Sequence, residues 1–514
     1  MNSQAQPASC AAPLPASLLS RNPLRWLAIF GPGAVIASLT IGVGELIFSS
    51  RAGALFGYRL LWFFLLVLAL KWILVFASAR HIVLTGAHPF QRWMELPGPR
   101  GWFPLVFFLL AVPCFPIWVC FHAGTVGTLL SSLAGTEQAW RGGAHFVWGI
   151  GVLAGVLLLS ASGGYRALER VQLIIVLMML GAVLVAVCFL RPDWIEFLKG
   201  LLIPQSLAYP PWVTPDTFPD IARRPVWLET TTYVGVIGGS SYDYLAYVSY
   251  LREKHWGQAG MSVASTEELK VMNDDPGHVN RRWLRAPLVD CTMSFASVLL
   301  FTGVFVVCGA VVLGPQHKVP GGANLLALQA EFVASVHPWF KPLYFAGAFL
   351  AVFGTLYGTL EVAPTILREL VTAFRPADAA RLQRRLRFWS VGWVGAAGFV
   401  ILLWSLLHHL RSGADKPPGL IAILTPANLF TGVLGCGLIC LLNAWMDWRF
   451  LPAGLRPSRT LLCCSGGAGM IFLALGLRGC WDHSGWTAFA ILSGTLALGW
   501  AGAWFLQHWP RGRR

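Results

Sequence analysis

The stretch LTIGVGELIFSS, residues 39–50, lies inside the first long apolar segment of the chain, yet it contains two glycines and the carboxylate of Glu45. A second stretch, GVIGGSSYDY at residues 235–244, interrupts the sixth apolar segment in the same way and contains Asp243. Glycine-interrupted membrane helices at corresponding positions of two halves are typical of transporters built from inverted repeats, which bind substrate near the bilayer midplane. The pair predicts a repeat of five plus five helices, with helices one and six broken. Glycine packing between continuous helices is the alternative.

The composition places both stretches in a membrane protein. Of the 514 residues, 56% are hydrophobic and 12% are charged, which is too apolar for a soluble protein of this length. Segments of about 20 apolar residues can cross a bilayer, and we count about twelve of them, which predicts an all-α polytopic fold. The predicted spans are residues 26–50, 59–80, 103–132, 144–162, 168–190, 227–251, 287–314, 339–370, 386–409, 419–446, 459–477 and 485–508.

These spans divide the chain into six parts, and the loops between the spans have no room for a soluble domain of ordinary size. The function is therefore expected inside the membrane region. The predicted parts are a cytoplasmic N-terminal tail (1–25), a first repeat of spans one to five (26–190), an outer loop (191–226), a second repeat of spans six to ten (227–446), spans eleven and twelve (447–508), and a basic C-terminal tail (509–514).

The net charge of +15 follows from topology. With a cytoplasmic N-terminus, most Lys and Arg fall in the inner segments, including the clusters at 281–285 and 381–387, as the positive-inside rule expects. No nucleic-acid partner is needed to explain the charge. We predict a multi-pass protein of the cell membrane (inner or plasma membrane), surrounded by the lipid bilayer and monomeric. The first 20 residues lack the pattern of a cleaved signal peptide.

Charged side chains at bilayer depth are functional candidates, because each costs at least about 2.5 kcal/mol on insertion scales. Glu45 and Asp243 each adjoin an interrupted helix, and Ser240 and Ser241 add hydroxyls nearby. Oxygen ligands of this kind suit a hard divalent cation. Two alternatives remain open: Glu45 could form an ion pair with Lys71, and Asp243 could face a vestibule without binding the ion.

Two further groups lie within predicted spans. His122 is more often a satisfied interior histidine than a ligand, and Glu361 could be structural or part of a proton route. The sequence has no H-E-x-x-H helix, G-x-S-x-G elbow or P-loop, so we predict that the protein is not an enzyme and needs no cofactor.

The first span also resembles a known family. Residues 31–62, GPGAVIASLTIGVGELIFSSRAGALFGYRLLW, are similar without a gap to the first span and following turn of the Nramp family of divalent-metal transporters. The similarity continues through Ser78, Ala79, Thr85 and Gly86, and more weakly at Asp290 and Gly358 to Leu360. The shared residues of the first stretch are Gly31, Pro32, Gly44, Ala52, Gly53, Phe56, Gly57, Tyr58, Leu60, Leu61 and Trp62.

The resemblance implies the leucine-transporter-type fold and proton-linked uptake of Mn²⁺ or Fe²⁺. It also implies where the metal ligands would lie, and this chain differs there. The family's D-P-G-N becomes Gly42, Val43, Gly44 and Glu45. The family's A-x-x-M-P-H places a backbone ligand at Val236, its Met at Gly239 and its His at Ser241.

These departures change the expected ion chemistry. A thioether favours transition metals over Mg²⁺ and Ca²⁺, so its loss is expected to relax that discrimination and to enlarge the site. The family's two proton-route carboxylates would fall at Ile117 and Cys120, so the resemblance does not carry proton coupling to this chain. The candidate metal residues are Glu45, Asp243, Gly42, Val236, Gly239 and Ser241.

Three functions fit these residues. The first is a secondary transporter or uniporter of divalent metal ions, of the Mn²⁺, Fe²⁺ or Mg²⁺ class, that works by alternating access. The second keeps the fold but moves an organic amine or amino acid; Glu45 would suit an ammonium group and repel a carboxylate. The third is a non-transporting membrane receptor with a degenerate site.

Overall fold

In a computed structural model of the chain, the structure describes residues 13–20, 22–26, 29, 31–162, 165–411 and 419–508. The predicted N-terminal tail lies partly, and the C-terminal tail wholly, outside these residues. The described residues form helices and no strand, which confirms the all-α class. The twelve long helices, labelled by predicted span, are α1 (Pro32–Val43, Gly44–Ser49 and Ser50–Phe56), α2 (Leu61–Thr85), α3 (Trp102–Leu133), α4 (Ala144–Ser162), α5 (Tyr165–Leu190), α6 (Val226–Val236 and Ser241–Lys254), α7 (Arg285–Cys308 and Gly309–Leu313), α8 (Lys341–Phe374), α9 (Pro376–Arg411), α10 (Leu420–Asn428, Leu429–Leu434 and Gly435–Phe450), α11 (Arg459–Ser484) and α12 (Trp486–His508).

Short helices and 3₁₀ turns occupy the connections. One of them, Trp194–Leu202, follows α5 at a bend of 116° and exposes Trp194, Ile195, Leu198 and Leu202, as expected for a segment of the predicted outer loop that lies on a membrane interface. The others are Ala16–Leu19, Pro23–Trp26, Pro89–Trp93, Ala139–Gly142, Pro219–Ala222, Thr266–Asp274, Val279–Trp283, Gly322–Asn324, Ala330–Ala334, Pro338–Phe340 and Ala453–Leu455.

All twelve predicted spans coincide with a helix. Within the described residues, nine helices are long and apolar enough to cross a membrane, or ten when α5 and its bent continuation are taken together. The two that remain are α1, which contains a π-helical turn, and α6, which consists of two halves that are each shorter than a span. The core is built around α1, since every side chain from Ile41 to Phe56 is buried, whereas α12 lies at the periphery.

Helix α1 is not broken, so this part of the prediction is wrong. Residues Gly44–Ser49 form a π-helix, and Gly44 itself has helical angles, φ −55° and ψ −60°. A π-helical turn accommodates an extra residue while the backbone stays hydrogen-bonded. The carbonyl of Leu46 also accepts from the Ser50 hydroxyl at 2.6 Å and from the Gln329 amide at 3.0 Å. The backbone beside Glu45 is therefore satisfied within the fold.

Helix α6 is broken as predicted. Its first half, α6a, ends at Val236, and its second half, α6b, begins at Ser241. Gly238 and Gly239 between them have φ values of +83° and +100°, which glycine adopts without strain. Ser240 caps α6b, and the backbone amide of Ser240 donates a hydrogen bond to Asp243 Oδ2 at 2.8 Å. This capping box fixes where the second half starts.

Buried charges join the outer halves of α1 and α6. Arg51 Nε lies 2.6 Å from Glu229 Oε1, and both side chains are at most 5% exposed. Arg224 approaches the same carboxylate at 3.3 Å, and the Tyr233 hydroxyl donates to it at 2.7 Å. Because Arg51 and Glu229 lie on the two interrupted helices, this cluster links their predicted outer ends.

At the other end of α1, one carboxylate accepts hydrogen bonds from the first backbone amides of the helix. Asp290 of α7 accepts hydrogen bonds from the amides of Gly31 at 3.0 Å and Gly33 at 2.7 Å. The Tyr247 hydroxyl of α6b donates to Asp290 at 2.9 Å. Helix N-termini carry unsatisfied amides that favour a negative charge, so Asp290 connects α1, α6b and α7 at their predicted inner ends.

Candidate functional site

A central cavity of about 40 Å³ lies where α1 passes the break of α6. A water molecule needs roughly 10–15 Å³, so the cavity has room for an ion with one or two waters. Five helices contribute to its wall. The lining residues are Thr40, Val43, Gly44, Cys114, Phe115, Trp118, His122, Gly235, Val236, Gly239, Ser240, Tyr242, Asp243, Thr355, Thr359 and Thr431.

The negative charge of the cavity comes from α6b. Asp243 is the acidic residue among the lining side chains, and the capping box holds its carboxylate at the start of the helix. Gly44, Val236 and Gly239 also line the cavity. The predicted association of Asp243 with the break is therefore present in the structure, whereas its role as a metal ligand stays a prediction.

The carbonyl groups at the break are bonded to this chain's own side chains. The Lys71 ammonium of α2 donates to the carbonyls of Ile237 at 2.8 Å and Gly239 at 2.6 Å. The Tyr244 hydroxyl donates to Gly238 at 2.5 Å and to Gly239 at 3.2 Å. Lys71 is fully buried, and the carbonyl groups replace the water that would otherwise solvate its ammonium group. A buried ammonium of α2 thus stabilises the break.

Glu45 does not line the central cavity. Its side chain is fully buried, and neither carboxylate oxygen has a hydrogen-bond partner. Its polar surroundings are the Thr302 hydroxyl of α7, the Gly238 backbone and the charge of Lys71. The ion pair between Glu45 and Lys71 that the sequence left open is not formed, since Lys71 binds backbone carbonyls. Glu45 therefore lies outside the wall of the cavity, and its role as a metal ligand stays a prediction.

The other four candidate residues separate into two pairs. Val236 and Gly239 line the cavity as expected. Gly42 does not, because it packs against α8 so closely that a Cβ would overlap Thr355 Oγ1. Ser241 does not either: its hydroxyl is buried without a partner and faces Gly435 of α10. Of the six candidates, Asp243, Val236 and Gly239 thus line the cavity and Gly42, Glu45 and Ser241 lie outside its wall; their roles as metal ligands stay predictions.

Sequence reasoning missed the threonines of the cavity. Thr355 and Thr359 are one turn apart on α8, and Thr40 and Thr431 add hydroxyls from α1 and α10. Two threonines at i and i+4 on an apolar helix are a signal that could have been used, because such positions share one face. His122, which the sequence argument discounted, also lines the cavity, with Nδ1 3.4 Å from Thr359 Oγ1.

Glu361 has a structural role. Arg387 of α9 holds it through two hydrogen bonds, at 2.5 Å and 3.2 Å, and reaches Ser160 of α4 at 3.0 Å. A bidentate guanidinium–carboxylate pair is a strong and directional contact. This pair joins α4, α8 and α9 outside the central cavity.

The donor set of the cavity suits a hydrated cation. The described part of the chain contains no group of three His, Cys, Asp or Glu side chains that could hold a metal ion. The Asp243 carboxylate and the threonine hydroxyls are hard oxygen donors, which suit Mg²⁺ or Mn²⁺ better than Cu⁺. An ion in this cavity would keep some of its water.

Similar sequences are metal transporters. The Divalent metal cation transporter MntH of Chromohalobacter salexigens is 28% identical over 381 residues, which are 70% of this chain and 77% of that protein. The Metal transporter Nramp1 of Populus trichocarpa is 27% identical over 187 residues, which are 35% of this chain and 32% of that protein.

Solved structures agree with the fold. The manganese transporter of Eremococcus coleocola, in complex with an aromatic bis-isothiourea substituted compound, has a TM-score of 0.62 at 14% identity and covers 97% of this chain and 96% of its own. A mutant of the same transporter reaches 0.65, with 97% of both chains covered. The leucine-transporter-type fold predicted from the sequence is confirmed. Residues 33–407 match the family model described as "Natural resistance-associated macrophage protein-like", and since this range is most of the chain, the protein belongs to the Nramp family.

Proposed function

We propose that the protein moves a divalent cation of the Mn²⁺, Fe²⁺ or Mg²⁺ class across the cell membrane by alternating access, with the N-terminus in the cytoplasm. The ion binds in the central cavity, and Asp243 is its charged ligand. The observation that carries the proposal is the position of Asp243: a carboxylate at the break of α6, in a cavity whose wall also contains four threonines. The names of the related transporters support the same ion class.

The driving force proposed is the membrane potential. The resemblance places the family's proton-route carboxylates at Ile117, which has no titratable group, and at Cys120, whose thiol is fully buried. An inside-negative potential contributes about 2.3 kcal/mol per elementary charge per 100 mV, and about twice that for a divalent ion. Uniport of a divalent cation needs no further coupling.

Uptake into proteoliposomes tests both the transported ion and the driving force. Purified protein is reconstituted, a potassium gradient with valinomycin sets the potential, and Mn²⁺, Fe²⁺ and Mg²⁺ are offered with a pH dye inside the vesicles. We expect saturable uptake that rises with inside-negative potential and leaves the internal pH unchanged. Acidification in step with metal entry would contradict the uniport.

Asp243→Asn tests the site. Asparagine can still accept the hydrogen bond from the Ser240 amide, so α6b keeps its cap and the thermal unfolding of the variant stays close to wild type. Loss of the charged ligand is expected to lower metal affinity about tenfold or more, which corresponds to at least about 1.4 kcal/mol. The matched control is Asp216→Asn, which neutralises an exposed carboxylate of the outer loop. Wild-type uptake by Asp243→Asn would overturn the site, and uptake of an organic amine without uptake of any metal ion would favour the amine transporter.

A further inference from the structure

An apolar groove opens on the outer surface of the helix bundle, away from the central cavity. It measures about 360 Å³ and lies between α3, α8 and α9. We call it the inner groove, because it lies in the predicted cytoplasmic half of these three helices. Its lining residues are Phe108, Ala111, Val112, Phe115, Ala363, Ile366, Leu367, Trp389, Ser390, Trp393 and Val394. Trp389 and Trp393 are 69% and 51% exposed, so the groove faces the lipid.

The polar atoms that line the groove are satisfied by the protein. Pro116 has no amide hydrogen, so it leaves the Val112 carbonyl one turn earlier without its helical partner. The Trp393 indole of α9 donates to that carbonyl at 2.9 Å. The Ser390 hydroxyl donates to the Leu386 carbonyl at 2.8 Å. The groove therefore offers apolar surface, which suits a hydrocarbon chain.

A row of positive charge leads to the mouth of the groove. Arg381, Arg385, Trp389 and Trp393 follow one another at intervals of four residues on α9 and so share one face of the helix. Arg381, Arg384 and Arg385 are exposed. The carboxylate of Asp378 lies nearby but is within 4.0 Å of Arg375. These three arginines are thus available to an anion at the end of the groove.

The distances along α9 match one phospholipid. The lining positions Trp389 to Val394 lie four to nine residues beyond Arg385, or about 6–14 Å at 1.5 Å per residue. One leaflet of hydrocarbon is about 15 Å thick. A headgroup at the arginines would therefore place its acyl chain along the groove.

We propose that the inner groove is a binding site for one anionic phospholipid from the leaflet next to the basic end of α9, the predicted cytoplasmic leaflet. The phosphate of its headgroup binds Arg381, Arg384 and Arg385, and an acyl chain lies against Trp389 and Trp393. Phe115 lines both the groove and the central cavity, so the acyl chain contacts the ring that separates it from the ion. The site is independent of which ion is transported.

Native mass spectrometry of the full chain tests the site. The protein is incubated in detergent with equal amounts of phosphatidylglycerol and phosphatidylcholine that have the same acyl chains. Arginines near a membrane surface attract anionic headgroups, so the wild type is expected to retain one phosphatidylglycerol about tenfold or more over phosphatidylcholine. Equal retention of the two lipids would overturn the proposal.

Variants separate headgroup from acyl chain. Replacing Arg381, Arg384 and Arg385 by Gln is expected to abolish the preference, whereas the same change at Arg59, Arg223 and Lys318, three exposed cations of the predicted outer side, leaves it intact. A preference that survives the first triple change, or that the second one also removes, contradicts the proposal.

Leu367→Trp fills the groove and is expected to lower retention of both lipids, whereas Leu403→Trp, at an exposed position elsewhere on α9, has no such effect. Thermal unfolding of each variant checks that it is folded. Displacement of the lipid by glycerol phosphate alone would show that the acyl chain adds nothing and would overturn that part of the proposal.

Discussion

The two glycine-interrupted helices look alike in sequence and differ in structure. At α6, Gly238 and Gly239 take positive φ values and the helix stops. At α1, Gly44 keeps helical angles and the helix continues through a π-helical turn. The glycines of α6 are used for their backbone freedom. Those of α1 are used for their small size, because Gly42 packs against Thr355 and Gly44 against the Val236 carbonyl.

The difference also decides what the acidic residues do. The break of α6 exposes a new helix start, and Asp243 caps it beside the central cavity. The continuous α1 turns Glu45 away from the cavity, towards α7. A carboxylate beside glycines thus becomes a cavity residue only where the backbone opens.

The largest expected effect is at the link between the two helices. Glu229→Gln leaves the Arg51 guanidinium buried without its counter-charge, and breaking a buried ion pair costs about 3–5 kcal/mol. We expect a loss of stability of this size in denaturant or thermal unfolding. Adding Arg51→Met should recover part of it, because the remaining charge is removed. Glu331→Gln, at an exposed pair, is the control and should change stability by less than about 1 kcal/mol; equal losses would contradict the role of the link.

Removing the ammonium at the break is expected to have the next largest effect. Lys71→Met leaves the Ile237 carbonyl unpaired, while Tyr244 still bonds to Gly239. An unsatisfied buried carbonyl costs about 1–3 kcal/mol. Thermal unfolding measures it, with Lys270→Met at an exposed ion pair as the control. Unchanged stability in Lys71→Met would show that water replaces the ammonium.

A rescue experiment distinguishes the two uses of glycine. Gly238→Ala and Gly42→Ala are both expected to destabilise the protein by roughly 1–2 kcal/mol, the first through its positive φ and the second through overpacking against α8. Thr355→Ala should relieve the Gly42→Ala variant, since it removes the overlapping Oγ1. The same change should not help Gly238→Ala, whose strain lies in its own backbone. If Thr355→Ala restored the thermal stability of both glycine variants, or of neither, the two glycines would not differ in the way proposed.

The smallest effect is expected at Glu45. Glu45→Gln keeps the shape of a side chain that does not line the central cavity, so metal affinity should fall by no more than a fewfold in calorimetry, well below the loss in Asp243→Asn. The two variants are compared in the same titration. A larger loss in Glu45→Gln would mean that Glu45 reaches the ion directly.

Much of this fold could be predicted because hydropathy alone marks helices in a bilayer. All twelve spans, the interruption of α6 and the position of Asp243 beside that interruption follow from the sequence. The Nramp resemblance was confirmed by the match over residues 33–407. The threonines of α8 and α10 were missed, since a hydroxyl on an apolar helix does not show which face it occupies.

The sequence by itself determined the class of protein, the number of apolar segments and the positions where a helix could open, because these depend on local composition and on glycine. Only the tertiary structure decided which of the two helices opened and which carboxylate faced the cavity. The physical reason is that a break exposes backbone groups, and these need partners from elsewhere. Lys71 of α2 and Tyr244 supply them at α6, whereas at α1 the close packing of α8 favours a continuous helix.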